Sequence, residues 1–359
     1  MGKIKFGARI PTSGPVSKRE WLIESTLEAE ALGYNMVIDT DHIHNSFERH
    51  KHYPVAMGSF RDPANTLEPN QFETISTYAF LAGKTSKIQF MTGVMPILLR
   101  DPIVLAKEAA TLDALSGGRF ILGVGVSNVS DRGEWRTMGK PFPSYAERYR
   151  MLVEYVEAMK AIWTQPTASY HGRYVNFDGL TIYPKPARKP HLPIWAGTGS
   201  LCRENLRPRD HPAVRFTLEH SDGWLGGLLK TRKALRTLIQ DFNDAASQEG
   251  RSVAGFEWCY ALRLSLGETE EDAKRNAAWI VDDQPHMAQY AGYMWKLGEA
   301  SRASVQGASV GMTSKILKAV EEAVDAGATA FDLWFMYPRF EDFRKQLRLF
   351  AKEIIPSFN

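Results

Sequence analysis

Two groups of residues in this sequence have the types and spacing to do chemistry. The first is the run Asp39-Thr40-Asp41-His42-Ile43-His44. An imidazole beside carboxylates exchanges a proton near neutral pH, or binds a metal as a neutral ligand. His42 and Asp41 are therefore the acid–base candidates. The alternative is a His-x-His metal hydrolase built on His42 and His44, with His50 and His52 close by. Barrel hydrolases with that pair place it after their first strand and need more His and Asp at other strand ends. His191, His211 and His220 do not fall at such ends, so no metal ligands are assigned.

The second group is a set of glycine-punctuated turns. They are Thr92-Gly93-Val94, then Gly123-Val124-Gly125-Val126-Ser127-Asn128, then Ala196-Gly197-Thr198-Gly199-Ser200. Glycine lets a flat ring come close to the main chain. Backbone N–H groups left free ahead of a helix receive phosphate. Two such turns at neighbouring strand ends imply a phosphorylated ligand lying across them, completed by Arg148 and Tyr149 at the start of the next helix. Arg100, Arg119, Arg132 and Arg136 read as solvated charges. Trp135, Trp195, Trp224, Trp295 and Trp334 read first as packing.

The elements that position these turns follow from apolar periodicity. Short apolar runs at 4–10, 35–39, 88–95, 120–126, 193–196, 223–227, 256–266 and 330–336 read as strands. Amphipathic stretches at 17–32, 72–84, 102–115, 144–163, 202–220, 234–249, 268–280, 313–326 and 340–354 read as helices. A small hairpin is expected at 169–183. Strands separated by helices pair in parallel, and eight such units close into a (β/α)8 TIM barrel. The open doubly wound sheet is the alternative, but the turn after the first strand is Pro11-Thr-Ser-Gly-Pro15 rather than a glycine-rich phosphate loop. No linker splits the chain, so residues 1–359 form one domain with inserts at about 41–69 and 282–311. The second insert carries Tyr290, Tyr293, Met294 and Trp295, an apolar lid over the barrel mouth. In a barrel, chemistry sits at the C-terminal strand ends, where both groups of residues fall.

Composition narrows the partners. With 44 Lys and Arg against 41 Asp and Glu, the net charge is +3, too balanced for a nucleic-acid or anionic-membrane surface. The 44% hydrophobic and 24% charged content is that of a globular protein. The two cysteines, Cys202 and Cys259, make neither a CxxC nor a zinc spacing. No signal peptide or membrane-length apolar run is present, so a cytoplasmic location is expected.

Several longer stretches resemble the luciferase-like flavin-dependent oxidoreductases. They are Thr92–Pro96 followed by Arg100-Asp101-Pro102, the run LAKEAATLDALSGGRFILGVGVS from Leu105 to Ser127, and IYPKPARKPHLPIWAGTGS from Ile182 to Ser200. SDGWLGG from Ser221 to Gly227 and the closing GMTSKILKAVEEAVDAGATAFDLWF from Gly311 to Phe335 keep the same order. The resemblance implies FMN, or the deazaflavin coenzyme F-420, at the barrel mouth. It implies a cis peptide at Gly93-Val94 behind the ring, with Thr92 beside it. It places the family histidine at His42, and the ribityl phosphate on Val126, Ser127, Asn128, Tyr149 and Gly197–Ser200. Deazaflavin sugar dehydrogenases of the family carry a proton-donor glutamate where this chain has Asn128, and an amide cannot serve as that acid.

The leading expectation is a monooxygenase using reduced FMN and O2 on a largely apolar small organic substrate under a water-excluding lid. Hydride transfer with deazaflavin is the alternative within redox chemistry, and a non-catalytic flavin-binding protein is the alternative outside catalysis. No dinucleotide fingerprint is present, which points to a separate flavin reductase. Related barrels pair through helices near strands two and three, so a homodimer is expected.

Overall fold

The computed structural model describes residues 3–12, 17–43, 71–128, 131–198, 211–226, 232–281, 309–337 and 339–358. The strands are β1 (Lys5–Arg9), β2 (Met36–Asp39), β3 (Gln89–Thr92), β4 (Phe120–Val124), β5 (Ala168–His171) and β6 (Asn176–Leu180). They continue as β7 (Ile194–Gly197), β8 (Gly223–Leu225), β9 (Glu257–Leu266), β10 (Ser309–Gly311) and β11 (Ala330–Phe335). The helices are α1 (Arg19–Ala31), α2 (Thr74–Ala82), α3 (Pro102–Leu115), α4 (Arg132–Thr137) and α5 (Tyr145–Thr164). After them come α6 (Pro212–His220), α7 (Arg232–Gln248), α8 (Glu270–Val281), α9 (Thr313–Asp325) and α10 (Phe340–Glu353).

Eight strands pair in parallel in the order β1-β2-β3-β4-β7-β8-β9-β11, and β11 returns to β1. This is the expected (β/α)8 barrel. The β5–β6 pair is an antiparallel hairpin outside it, close to its expected place. Two elements have no counterpart in the sequence reading. β10 pairs with Leu264–Leu266, on the side of β9 that β8 leaves after Cys259. It has three residues, too few for a period-two signal. α4 has six residues with Gly133 inside, too short for a helical stripe.

Helix starts follow the local chemistry. Asp101 caps α3 by accepting from the backbone N–H of Ile103 and Val104, and Pro102 takes the first turn, where no donor is needed. Ser144 caps α5 through the Glu147 N–H. Among the described residues no helix is long and apolar enough to cross a membrane.

The strands bury both faces, as parallel barrel strands must. One cluster fills the space between strands and helices. A second lies inside the barrel and contains Met36, Ile38, Met91, Ile121, Trp195 and Cys259, with Val94 packed against it. Cys259 is fully enclosed, and burial pushes its thiol pKa up. Cys202 lies outside the described residues.

At the top of β3 and β4 a side chain takes over from the backbone ladder. Thr92 Oγ1 accepts from the Gly123 N–H and donates to the Gly123 carbonyl, both at 2.8 Å. A Cβ on Gly123 would sit 1.9 Å from the Thr92 carbonyl oxygen. Gly123→Ala should therefore force the seam apart and destabilise the protein by about 3 kcal/mol or more. Chemical denaturation compared with the parent checks this; an unchanged midpoint would show that the strands tolerate the separation.

Candidate active site

The first group of residues sits at the C-terminal end of β2. Asp39 is fully buried and accepts from the hydroxyls of Thr12 and Thr74. Burial lifts its pKa to about 7, against the pull of the Thr12 hydrogen bond and the nearby Arg9. Asp41 is held by both arms of Arg100, at 2.6 and 2.9 Å. Arg100 is thus not a solvated charge: its side chain is only 11% exposed. The carboxylate buried with it favours the pair over hydration.

His42 takes its partner from across the fold. Its Nδ1 lies 3.0 Å from Glu134 Oε2 on α4, with the two side chains 9% and 0% exposed. Glu134 Oε1 accepts from the backbone N–H of Ile43. The bond to Glu134 replaces any contact with the adjacent Asp41. Glu134 was not among the residues singled out from sequence; its signal, an acid in Gly-Glu-Trp, is too common to stand out. Asp131 joins the pair, so that ligand atoms of His42, Asp131 and Glu134 lie within 4.8 Å of one another. Those oxygens already face donors, since Asp131 accepts from the Asn128 N–H at 2.8 Å. His44, His50 and His52 lie outside the described residues.

The second group lines the neighbouring strand ends. The Gly93–Val94 peptide is cis, as the resemblance implies. Arg9 donates to the Gly93 carbonyl at 2.9 Å, to Thr40 at 2.8 Å and to both oxygens of Asp332. Its guanidinium lies 3.8 Å from the centre of the Trp334 ring. Gly93 packs against Ile38, where a Cβ would meet Cγ2 at 2.6 Å, while Gly125 and Gly197 pack against Val94. A Cβ on Gly125 or Gly197 would meet the Val94 methyls at 2.7 and 2.3 Å.

Several of the expected cofactor residues already have partners within the protein. Thr92 spends its hydroxyl on Gly123. Thr198 accepts from Trp224 Nε1 at 2.6 Å and is buried. Ser127 adopts a left-handed φ of 64° and accepts from Trp135 Nε1 at 3.0 Å. Val126 is buried and Asn128 exposed. Tyr149 is buried edge-on to Tyr145 at 5.0 Å. Gly199 and Ser200 lie outside the described residues, as do Tyr290, Tyr293, Met294 and Trp295 of the expected lid.

Arg148 differs from the other arginines of this region. It is 4% exposed and packs 4.2 Å over Phe142. Its Nη1 donates to the Pro143 carbonyl, while its buried Nε has no partner among the described residues. Burial pushes its pKa down and Asp131 pushes it up. By contrast, Arg119 donates to the carbonyls of Ala82, Thr85, Ile88 and Ser116 and serves the scaffold.

Glycines packed against Val94 and Ile38, beside a buried histidine, thus stand at the C-terminal end of a parallel barrel. The luciferase-like monooxygenase family matches residues 5–330, and this chain belongs to that family. It is 32% identical over 229 residues to an FMNH2-dependent dimethylsulfone monooxygenase of Pseudomonas putida, covering 64% of this chain and 58% of that protein. It is 30% identical over 278 residues to an F420-dependent glucose-6-phosphate dehydrogenase of Intrasporangium calvum, covering 77% and 73%. The fold superposes with a TM-score of 0.74 on the monooxygenase RslO1 from Streptomyces bottropensis, at 22% identity over 99% of this chain and 100% of that one.

Asp39 makes a pH-dependent contribution with a definite sign. Its ordinary value is 3.8 and its folded value about 7. Between those values the unfolded chain loses the proton and the folded chain keeps it, so stability falls as pH rises. Asp39→Asn should be more stable than the parent by a few kcal/mol at about pH 8, with the difference shrinking toward about pH 4. Thermal melts of both proteins across that range measure it; parallel curves would refute it.

Proposed function

We propose that this protein is a flavin-dependent oxidoreductase, a monooxygenase that uses reduced FMN and O2 on a small organic substrate. The observation that carries the reading is the pair Gly125 and Gly197 packed directly against Val94, next to the Gly93 turn and at the same barrel end as His42. Glycines there would let a flat ring approach the main chain. Reduced FMN supplies two electrons, so that one oxygen atom of O2 enters the substrate and the other leaves as water.

The chain's own residues then have distinct tasks. Val94 backs the ring, held by Arg9 through the Gly93 carbonyl. Arg148 would give its Nε–H and its charge to the phosphate, and Ser127, Asn128, Tyr149, Gly197, Thr198, Gly199 and Ser200 are the other residues proposed to hold it. Thr92 and Val126 shape the floor. His42 exchanges the proton that the reaction requires. Asp41, locked by Arg100, fixes the loop that carries His42. The lid would exclude water from the site.

A second reading replaces O2 chemistry with hydride transfer to or from coenzyme F-420. The similarity to the F420-dependent dehydrogenase supports it, and Asn128 argues against a sugar substrate in that case. Reduced FMN would come from a separate reductase. The exposed side chains of Phe80, Val104 and Leu115 on α2 and α3 suit a homodimer contact there.

Anaerobic titration with FMN, reduced FMN and F-420, followed by O2 electrode measurements, separates the readings. Reduced FMN should bind and O2 should be consumed; binding of F-420 alone would replace the lead with the second reading. Arg148→Met should weaken FMN about 10–100-fold, the loss of a charged hydrogen bond, and leave riboflavin nearly unchanged. Equal losses for both ligands would remove Arg148 from the phosphate site. His42→Asn should lower turnover about 100-fold or more, and unchanged turnover would remove the role given to His42.

A further inference from the structure

We infer that Glu134 is the positioning residue of this site: it holds His42 as the Nδ1–H tautomer and so reserves Nε2 for proton exchange. The inference rests on the role proposed for His42. An ionised carboxylate only accepts. A carboxylate oxygen 3.0 Å from Nδ1 therefore requires the proton to be on Nδ1. The second oxygen takes the Ile43 N–H, so one carboxylate grips both the ring and the backbone that follows it. Neither ring rotation nor loop movement is possible without giving up one of these bonds.

The grip is rigid because its base is rigid. Trp135, next to Glu134 on α4, donates to Ser127 at the exit of β4. Its ring packs edge-on against Phe142 at 5.6 Å. Asp131, just before α4, accepts from the backbone of Asn128. The β4 exit, α4 and the β2 exit are thus one hydrogen-bonded unit. Glu134 and Asp131 from this unit stand beside His42, and Asp41 precedes it in its own loop. Asp41 is already neutralised by Arg100, and Arg148 acts on Asp131 from α5. Glu134 is the group in direct contact with the ring.

A glutamine at this position has one acceptor for two donors. If its oxygen serves the Ile43 N–H, its NH2 faces Nδ1 and demands a lone pair there. The ring must then carry its proton on Nε2, the nitrogen that should be free.

The test uses 15N-histidine NMR on the cofactor-free protein, so that it does not depend on turnover. In the parent, neutral His42 should show a protonated Nδ1 and an unprotonated Nε2. In Glu134→Gln the proton should move to Nε2, and kcat of the loaded enzyme should fall about 10–100-fold with KM little changed. An Nε2–H ring in the parent overturns the inference even if the variant does not fold. A ring that stays Nδ1–H in a folded Glu134→Gln overturns it as well. If the proton moves and kcat does not, His42→Asn decides: an inactive His42→Asn overturns the positioning role, and an active one overturns the role of His42 itself.

Discussion

A barrel wall is built of side chains that meet in the middle, and here three neighbouring strands decline to contribute. Gly93, Gly125 and Gly197 stand at the inward, C-terminal positions of β3, β4 and β7 or just beyond them. Val94 fills the space beside Gly125 and Gly197, and Ile38 fills the space beside Gly93. Glycine is required because the Val94 methyls already occupy the volume that any Cβ at Gly125 or Gly197 would need. The glycines are therefore a consequence of packing, and Arg9 holds the Gly93 carbonyl that precedes Val94.

The charges at the mouth fit that requirement. Arg9 reaches from β1 to the Gly93 carbonyl, while Asp332 on β11 holds the guanidinium and Trp334 covers it. Arg100 and Asp41 fix the loop after β2, and Glu134 fixes the ring carried by that loop. Buried ion pairs of this kind contribute little net stability, because desolvation offsets most of the attraction. Their value is directional. Each joins segments that belong to or follow different strands, so that each sets a position that apolar contacts would leave free to slide.

The barrel was legible in the sequence because its signals are local. Alternating strands and helices, Pro102 after Asp101, and Ser144 ahead of a long apolar stripe each leave a mark within a few residues. The site was half legible. The glycine turns and His42 announce themselves by type and by place at strand ends. The partner of His42 does not, being 92 residues away on a helix too short to show a period. Arg100 looked like a surface charge for a related reason: nothing near it in sequence says that Asp41 is buried beside it. Thr92 was expected to face a ligand, and its hydroxyl instead closes the seam to β4, a role decided by a neighbouring strand.

Cys259 adds a property unrelated to catalysis. Its sulfur is sealed in the interior of the closed sheet, where no reagent can arrive while the strands remain joined. Alkylation of that thiol is thus a clock for rupture of the cylinder as a whole, insensitive to breathing at the rim.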